Sequence, residues 1–322
     1  MKAIHITEKE AGQRLDKLLG KYLNLAGKGF LYKMLRKKNI TLNGKKCDGT
    51  ERLKAGDEIK LFLSDDTIEK FSQVTVQKVK KTRLDLIYED QHIILINKPA
   101  GMLSQKAKEG DESLVEYVTD YLLDTRALTK EDLRTFRPGI CNRLDRNTSG
   151  LVAAGKTLAG LQIMAEVFRD RSIHKYYYCA VKGELKETRT IDGFLTKDER
   201  SNVVTVHKTQ MPHSVPISTK YEPVAWKEGY TLLKVLLITG RSHQIRAHLS
   251  SIGHPLVGDR KYGDEKVNEE AKRRFGIRHQ MLHSYRMEFP ELQAPLEYLS
   301  GKSFEAPAPK EFAGVFGKEW EV

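Results

Sequence analysis

Residues 142–150 form a short polar segment that leads directly into the apolar strand pattern of residues 151–154. Within this segment Asp145 stands between two arginines, Arg143 and Arg146. A carboxylate held between cations keeps its charge, because nearby positive charge favours the ionised form. The segment therefore predicts an ionised carboxylate at the edge of a sheet. The alternative is a turn or helix-capping aspartate paired with one of the two arginines, and the segment taken alone favours that alternative.

The length of the chain, 322 residues, predicts one large and one small domain, or two of medium size. No apolar run approaches the roughly 18 residues that a membrane helix needs, and the N-terminus lacks the apolar core of a signal peptide. The cysteines Cys47, Cys141 and Cys179 are odd in number and far apart. Neither a disulfide framework nor a zinc site is indicated, so we expect a cytoplasmic protein that does not enter membranes.

The net charge of +12 is concentrated at the start of the chain. Residues 1–64 contain 15 Lys and Arg against 7 Asp and Glu, and so carry eight of the twelve excess positive charges. Such a concentration suits a phosphate-binding module, because neutralising the backbone and releasing its counterions supplies most non-specific nucleic-acid affinity. The alternative is a solvated basic face that serves solubility, and charge alone does not separate the two. In a protein this basic, the carboxylate of Asp145 suggests chemistry on a nucleic acid.

Residues 1–64 also have the pattern of a self-contained unit. One amphipathic helix opens at residues 14–19, a second covers 30–38, and strands follow at 40–44 and 59–63. The second helix has an apolar stripe and a basic side, formed by Leu31, Met34 and Leu35 on the stripe and by Lys33, Arg36 and Lys37 largely off it.

Over roughly residues 13–62, this helix–helix–strand order resembles the S-four RNA-binding domain, which is named after a ribosomal protein. The motifs are individually only moderately specific, but their order is more so. The resemblance implies RNA contacts by basic residues on and near the two helices, namely Arg14, Lys33, Arg36, Lys37 and Lys38.

Residues 65–82 are polar and weakly patterned, which predicts a linker with one possible strand. From Leu84 onward, strand patterns dominate. We expect strands at 86–88, 93–97, 176–181 and 230–238, and helices at 112–124 and 157–170.

Several motifs follow one another in the second part of the chain. They are residues 97–101, 143–145 with 148–150, Lys175 with Tyr177, residues 239–246, Gly258-Asp259 with Tyr262-Gly263, and Ala306-Pro307. Together they make residues 84–312 resemble the RluA-type pseudouridine synthases, whose best-known members act on large-subunit ribosomal RNA. The order of these motifs and their plausible spacings make this resemblance highly specific. The family usually has histidine before the Arg-Leu-Asp sequence, whereas this chain has Asn142.

The resemblance implies a role for each matching residue. Asp145 matches the catalytic aspartate, Tyr177 a tyrosine that stacks on the target base, and Arg246 the arginine that ion-pairs with the aspartate. Without the resemblance, Tyr177 would be read as a core aromatic and Arg246 as a surface arginine on a helix. The remaining candidates for RNA contacts are Arg143, Arg146, His243 and Arg241, the last of which suits a phosphate.

The implied reaction breaks the N1–C1′ bond of a uridine and rejoins the ring through C5, so it requires no redox change, metal or nucleotide cofactor. The carboxylate either attacks the nucleoside or removes a proton from the sugar, and the sequence does not decide between these routes. Either route requires the uridine to leave its helix, because the reacting atoms are inaccessible within a stack. The extruded base then needs an aromatic platform, which Tyr177 could supply at on the order of 1–3 kcal/mol.

Two further patterns point elsewhere and are disfavoured. Residues 150–157 match the phosphate-binding loop of nucleotide hydrolases letter for letter. Here, however, the apolar strand lies inside the pattern, and strand residues cannot cradle a phosphate while they are hydrogen-bonded in a sheet. The histidines His243, His248 and His254 follow at steps of five and six, which places them on different helical faces. We therefore expect neither nucleotide hydrolysis nor a metal site.

We thus predict an α+β protein with a small N-terminal α/β RNA-binding domain (1–64), a linker (65–82) and a catalytic domain (83–322). The catalytic domain is expected to contain a mixed, largely antiparallel sheet with the active cleft across it. The expected partner is structured RNA, with large-subunit ribosomal RNA favoured over tRNA, and the expected state is a monomer without cofactors. A non-catalytic RNA-binding or ribosome-assembly factor that keeps the fold is the alternative.

Overall fold

The computed structural model of the protein describes residues 1–74, 76–80, 83–317 and 320. In this part of the chain the helices are α1 (Leu15–Tyr22), α2 (Lys28–Arg36), α3 (Asp65–Phe71), α4 (Leu114–Asp124), α5 (Leu158–Asp170), α6 (Gln244–Ser251), α7 (Glu265–Phe275) and α8 (Lys310–Phe316). The strands are β1 (Lys2–His5), β2 (Ile40–Leu42), β3 (Lys45–Lys46), β4 (Glu58–Leu61), β5 (Leu86–Glu89), β6 (Ile93–Lys98), β7 (Gly139–Ile140), β8 (Ser149–Gly155), β9 (His174–Lys182), β10 (Arg189–Asp198), β11 (Val203–His207), β12 (Val215–Lys227), β13 (Tyr230–Leu237), β14 (Leu282–Glu288) and β15 (Ser303–Glu305). Short 3₁₀ helices occur at Asp132–Arg134 and Glu297–Leu299.

The first four strands form an antiparallel sheet of their own, in the order β1-β4-β2-β3. Helices α1 and α2 share one apolar core with this sheet, because each helix buries residues spaced one turn apart. The β2–β3 hairpin turns at Asn43 and Gly44, whose φ angles of 49° and 73° are those of a tight two-residue turn. The helices and strands expected in residues 1–64 are therefore present.

The segment 65–82, expected to be a linker, begins with helix α3. Ser64 caps this helix by accepting a hydrogen bond from the Thr67 amide, and Asp65 and Asp66 place negative charge at its positive end. Ile68 then packs into the core of the first sheet. Helix α3 is thus part of the N-terminal unit. The possible strand in this segment is not formed by residues 76–80, and Thr75, Lys81 and Thr82 lie outside the described residues.

The remaining strands form one large sheet, in the order β11-β10-β12-β13-β9-β14-β8-β6-β5, with β15 beside β14 and β7 beside β8. Among the described strand pairs, β8 and β14 run parallel and the others are antiparallel. The predicted fold class, α+β with a mixed and largely antiparallel sheet, is confirmed. Strand β9, which carries Tyr177, lies at the centre between β13 and β14.

Strand β8 approaches β14 very closely at Gly150. A Cβ atom at this position would lie 2.2 Å from the backbone oxygen of Ser284, and the φ angle of +110° also favours glycine. Only a residue without a side chain allows the parallel pair to form here. This contact fixes the start of β8, and with it the turn at 142–148, at the end of the central strands.

The two faces of the large sheet form separate apolar cores. Tyr177 shares its apolar core with residues of α4 and α6 and with the first turn of α5, whereas Met164 and Val167, further along α5, belong to a separate core formed by the strand residues of the opposite face. Because successive strand residues point to opposite faces, the alternation along β6, β8 and β9 separates the two cores. The helix that carries Arg246 therefore covers the same face as Tyr177.

The N-terminal unit contacts the large sheet through the segment that follows β1. Lys9 forms an ion pair with Asp132 at 2.8 Å, and its carbonyl accepts the Leu158 amide at 3.0 Å. The buried carboxylate of Glu10 accepts a hydrogen bond of 2.7 Å from the hydroxyl of Thr135. The two sheets are therefore joined by specific polar contacts as well as by the chain.

Candidate active site

Asp145 and Arg246, 101 residues apart in sequence, meet at the end of the central strands. Nη1 of Arg246 donates to Oδ2 of Asp145 at 2.7 Å. The Asp145 side chain retains 26% exposure, whereas that of Arg246 retains 8%. The carboxylate is thus held from the protein side and remains accessible from the solvent side.

Arg246 is itself held by a second carboxylate. Its Nε and Nη2 donate to the two oxygens of Asp259 at 2.6 and 2.8 Å, and the Asp259 side chain is fully buried. Asp259 also accepts the amides of Lys261 and Tyr262. Burial alone would raise the pKa of Asp259, but its hydrogen bonds and the charge of Arg246 lower that pKa overall. Arg246 therefore bridges two carboxylates, one buried and one accessible.

The start of α6 is set by Gln244. Its side-chain oxygen accepts the Arg241 amide at 3.1 Å and the Thr239 hydroxyl at 2.9 Å, and its Nε2 donates to the Ser218 carbonyl at 3.0 Å. These contacts tie the loop after β13 to the neighbouring strand β12. The helix that delivers Arg246 consequently begins at a fixed point.

His243 immediately precedes α6 and faces Asp145. Its φ angle of 54° is left-handed, an uncommon conformation for histidine that costs on the order of 1 kcal/mol and persists only where the surroundings enforce it. Nδ1 lies 2.9 Å from the Tyr262 hydroxyl, and Nε2 lies 4.0 Å from Oδ2 of Asp145. Burial lowers the pKa of His243, against the opposing effect of the Asp145 charge. The imidazole is therefore oriented into the site.

The backbone on either side of Asp145 is clamped by residues 98–104. The hydroxyl of Ser104 donates to the Leu144 carbonyl at 2.7 Å and accepts the Leu144 amide at 3.0 Å. Nζ of the fully buried Lys98 donates to the carbonyls of Met102 and Arg146 at 2.9 and 3.2 Å. Burial lowers the pKa of Lys98 to about 7, while the charge of Asp145 acts in the opposite direction. These clamps keep the turn, and so the carboxylate, in place.

Tyr177 is almost completely buried on the same face of the sheet. Burial raises its pKa to about 12, and the nearby negative charge of Asp145 acts in the same direction. The phenol is therefore protonated at physiological pH. Of the three predicted catalytic residues, the structure joins Asp145 directly to Arg246 and places Tyr177 within the electrostatic reach of Asp145.

Asn142 occupies the position where the family usually has histidine. Its side-chain oxygen accepts the Ala153 amide at 2.8 Å, and its Nδ2 donates to the Leu151 carbonyl at 3.2 Å. The side chain thus completes backbone hydrogen bonds of β8. In this chain the position anchors the turn to the strand.

The predicted RNA-contact residues differ in their environments. Around the site, Arg143, Arg146 and Arg241 are exposed, and Arg146 also donates to the Gly101 carbonyl at 3.1 Å. On the N-terminal unit, four cations are exposed and have no carboxylate within salt-bridge distance among the described residues: Lys33, Arg36, Lys37 and Lys38. Arg14 instead forms a two-point ion pair with Asp16, at 3.1 and 2.9 Å. The structure brings Arg143, Arg146, Arg241 and His243 to the candidate site and leaves the other five on the N-terminal unit.

A cavity of about 790 Å³ opens beside the Asp145 turn, lined in part by Lys98, Asn147 and Gln280, with Arg83 and Arg278 also in its wall. Its size is that of a small-molecule pocket. Across the described residues, no group of three or more His, Cys, Asp or Glu side chains is arranged to hold a metal ion. Nor does any helix in that part of the chain have the length and hydropathy to cross a membrane.

The sequence patterns indicate no individual role for Lys98, Ser104 or Asp259. Lys98 and Asp259 lie within quoted motifs, which is the one signal that could have identified them. Ser104 lies just beyond the first motif and gave no signal of its own. Their functions depend on contacts that only the folded chain creates.

Comparisons with known proteins show which proteins this chain is similar to. A family model described as RNA pseudouridylate synthase matches residues 92–251. The chain is 30% identical to the ribosomal large subunit pseudouridine synthase C of Vibrio vulnificus, over 91% of this chain and 90% of the relative. It is 31% identical to an uncharacterized RNA pseudouridine synthase of Mycoplasma genitalium, over 89% of each chain. The solved structure of human RNA pseudouridylate synthase domain containing 4 has a TM-score of 0.58 at 19% identity, over 71% of this chain and 90% of that one, and so shares the fold.

Proposed function

The chain belongs to the RluA-type RNA pseudouridine synthases, and we propose that its substrate is large-subunit ribosomal RNA, in which it isomerises specific uridines. Membership of the family confirms the resemblance drawn from the motifs. The choice of substrate is supported by the relatives named as ribosomal large subunit pseudouridine synthases, which the chain matches over almost its full length. The same reaction on tRNA is the second candidate.

The ion pair of Asp145 with Arg246 carries the proposal. One carboxylate oxygen accepts the guanidinium at 2.7 Å, and the partly exposed side chain leaves the second oxygen to face a nucleoside. That oxygen can attack C1′ or remove a proton from the sugar, and both routes need the ionised carboxylate. After the N1–C1′ bond breaks, the uracil turns and forms a bond from C5 to C1′. The proton on C5 is then lost and N1 gains one, so the product is an isomer of the substrate.

Tyr177 is proposed as the platform for the extruded base. Its protonated phenol adds no negative charge next to Asp145, because burial keeps its pKa near 12. Stacking of a base on an aromatic ring contributes on the order of 1–3 kcal/mol and tolerates any base, so recognition of uracil must come from other groups.

RNA binding is proposed for two exposed cationic regions. Arg143, Arg146, Arg241 and the inward-facing His243 surround the site, while Lys33, Arg36, Lys37 and Lys38 follow one side of α2 and the turn after it. We propose residues 1–64 as the S-four RNA-binding domain, with α3 added to its core. Arg14 contributes less, because its guanidinium is already paired with Asp16.

Release of tritium tests the catalytic assignment. Ribosomal RNA transcripts and, separately, tRNA transcripts, both labelled at C5 of uridine, are incubated with the wild type, with Asp145→Asn and with Asp124→Asn, an exposed control. We expect release by the wild type and the control, and none by Asp145→Asn. No release from any RNA by the wild type would favour the non-catalytic alternative, whereas release from tRNA transcripts alone would move the proposal to tRNA.

A second measurement tests the N-terminal surface. The double variant Lys33→Glu, Lys37→Glu is expected to weaken RNA binding and flatten its salt dependence, because fewer counterions are released. The rate at saturating RNA should stay close to that of the wild type. An unchanged salt dependence contradicts a phosphate-binding role for this surface.

A further inference from the structure

Lys175 is a buried cation for which the protein provides no counter-charge. The residue lies on the central strand β9 with 6% of its surface exposed. Among the described residues, no carboxylate lies within salt-bridge distance of its Nζ, and the charged group that acts on it is another cation, Arg171. Burial, followed by the charge of Arg171, lowers the pKa of Lys175.

An arrangement of this kind is energetically unfavourable in the free protein. Buried charges in proteins are normally paired, because a partner must offset the unfavourable free energy of removing an ion from water. The Nζ of Lys175 lies 5.8 Å from the centre of the Phe168 ring. This cation–π contact offsets only part of the cost of burial, so a full anion is still missing.

The position of Lys175 shows where the missing anion would lie. Its Nζ is 3.8 Å from the point that a Cβ of Gly240 would occupy, at the loop that leads to His243 and Arg246. Arg241 follows in the same loop and is exposed, as is Arg171 at the end of α5. Lys175 is also two residues before Tyr177, on the same side of β9, and so about 7 Å from it along the strand. That distance is comparable to the span between a base and the backbone of its own or the adjacent nucleotide.

We propose that Lys175, with Arg171 and Arg241 beside it, binds a backbone phosphate of the RNA at the target nucleotide or its immediate neighbour. The inference rests on the proposed function and adds to it a contact that fixes the extruded nucleotide by its backbone while Tyr177 holds its base. The RNA phosphate supplies the anion that the chain lacks. Lys175 is therefore a binding residue, and it does not touch the reacting atoms.

Three variants test the role of Lys175: Lys175→Met, Lys175→Arg and the exposed control Lys302→Met. Lys175→Met is expected to raise KM for RNA about tenfold or more, since a hydrogen bond to a charged group is lost, with kcat changed less than threefold. The slope of log KM against log salt should fall by about 0.7, the value for one phosphate of single-stranded RNA. Lys175→Arg should recover part of the affinity, and Lys302→Met should behave as the wild type.

Thermal unfolding separates binding from folding. Lys175→Met is expected to unfold at the same temperature as the wild type or higher, because an unpaired buried charge is replaced by an apolar side chain of similar length. If this variant does not fold, the Lys175→Arg variant and the modified RNAs below decide the question.

The phosphate is located with short RNAs that carry a single neutral methylphosphonate at each position around the mapped uridine. At one position the methylphosphonate is expected to raise the KM of the wild type about tenfold and to leave the KM of Lys175→Met unchanged. Such non-additive effects are expected when the side chain and the phosphate are in direct contact. The phosphate site is refuted if the methylphosphonate at each position changes KM equally for the wild type and Lys175→Met, and if Lys175→Met keeps the KM and salt slope of the wild type. The proposed isomerisation would still stand in that case. If the wild type converts no RNA, it is the proposed function that fails.

Discussion

Replacing Asp259 by asparagine is expected to slow catalysis although Asp259 is fully buried and faces away from solvent. In the wild type both of its oxygens accept from Arg246, at 2.6 and 2.8 Å. An asparagine keeps one acceptor but turns an amide N–H group towards a guanidinium N–H group. Arg246 then loses one charge-assisted hydrogen bond and its stronger counter-charge, and its hold on Asp145 is no longer fixed.

The magnitudes follow from burial. Breaking a buried ion pair costs about 3–5 kcal/mol, and because Arg246 keeps Asp145 as a partner we expect the lower end, about 3 kcal/mol in the free energy of unfolding. A displacement of about 1 Å in a group that positions the reacting atoms costs about 100-fold in rate. We therefore expect kcat to fall about 100-fold, with KM for RNA nearly unchanged because Asp259 makes no contact with solvent.

Tritium release under single-turnover conditions and urea denaturation measure the two effects. Asp264→Asn is the matched control, because Asp264 has an ion pair with Lys182 at the surface and caps α7, a role that asparagine can fill. This control should keep its rate and lose at most about 1 kcal/mol. A folded Asp259→Asn variant with kcat within twofold of the wild type would show that Arg246 does not need its second carboxylate.

Gly150→Ala is expected to lose about 3 kcal/mol of stability, since its Cβ would lie 2.2 Å from a backbone oxygen at a φ of +110°. Gly229→Ala, at a φ of +83° but with open space around it, should lose only about 1–2 kcal/mol in the same denaturation experiment, and equal losses contradict the close-approach argument. His283, hydrogen-bonded to Ser149, has its pKa lowered to about 4 by burial, against the opposing effect of the Ala306 carbonyl. The imidazole of the unfolded chain takes up a proton near pH 6.5, whereas that of the folded chain does so only near pH 4. The free energy of unfolding should therefore decrease by about 3 kcal/mol as the pH falls from 6.5 to 4. His283→Gln should remove that part of the pH dependence, and an unchanged profile in urea titrations at pH 4.5 and 7.5 would contradict the assignment.

Local patterns in the sequence were sufficient for elements that form from neighbouring residues. Helices α4 and α5 begin within two residues of their expected starts, because Ser113 and Thr157 are capping residues that precede regular apolar spacing. Strand β14 had no such signal. Its residues are almost all buried, and polar His283 and Ser284 interrupt any apolar pattern. A strand buried on both faces has no alternation to detect, and its parallel pairing with β8 is visible only in the fold.

In the candidate site, too, local patterns identify some features and only the fold reveals the others. Asp145, Tyr177 and Arg246 could be named from motifs, but their geometry depends on partners at large sequence separation. Ser104 contacts Leu144 across 40 residues, and the Lys98 amine reaches the Arg146 carbonyl across 48. No periodicity or spacing encodes such contacts, because they arise only when the sheet places two loops side by side. A motif can therefore identify which residues belong to a site without showing what holds them there.

The sharing of Arg246 between two carboxylates also bears on how Asp145 can react. A guanidinium has five N–H donors and can hold one carboxylate at both oxygens. Here the two-point contact goes to the buried Asp259, and Asp145 receives a single hydrogen bond from Nη1. A carboxylate held at both oxygens would have a hydrogen bond to whichever oxygen reacts, which makes that oxygen a weaker base and nucleophile, whereas one held at a single oxygen is oriented and keeps its second oxygen for the nucleoside. The buried aspartate thus directs the guanidinium so that it positions Asp145 without occupying the oxygen that must react.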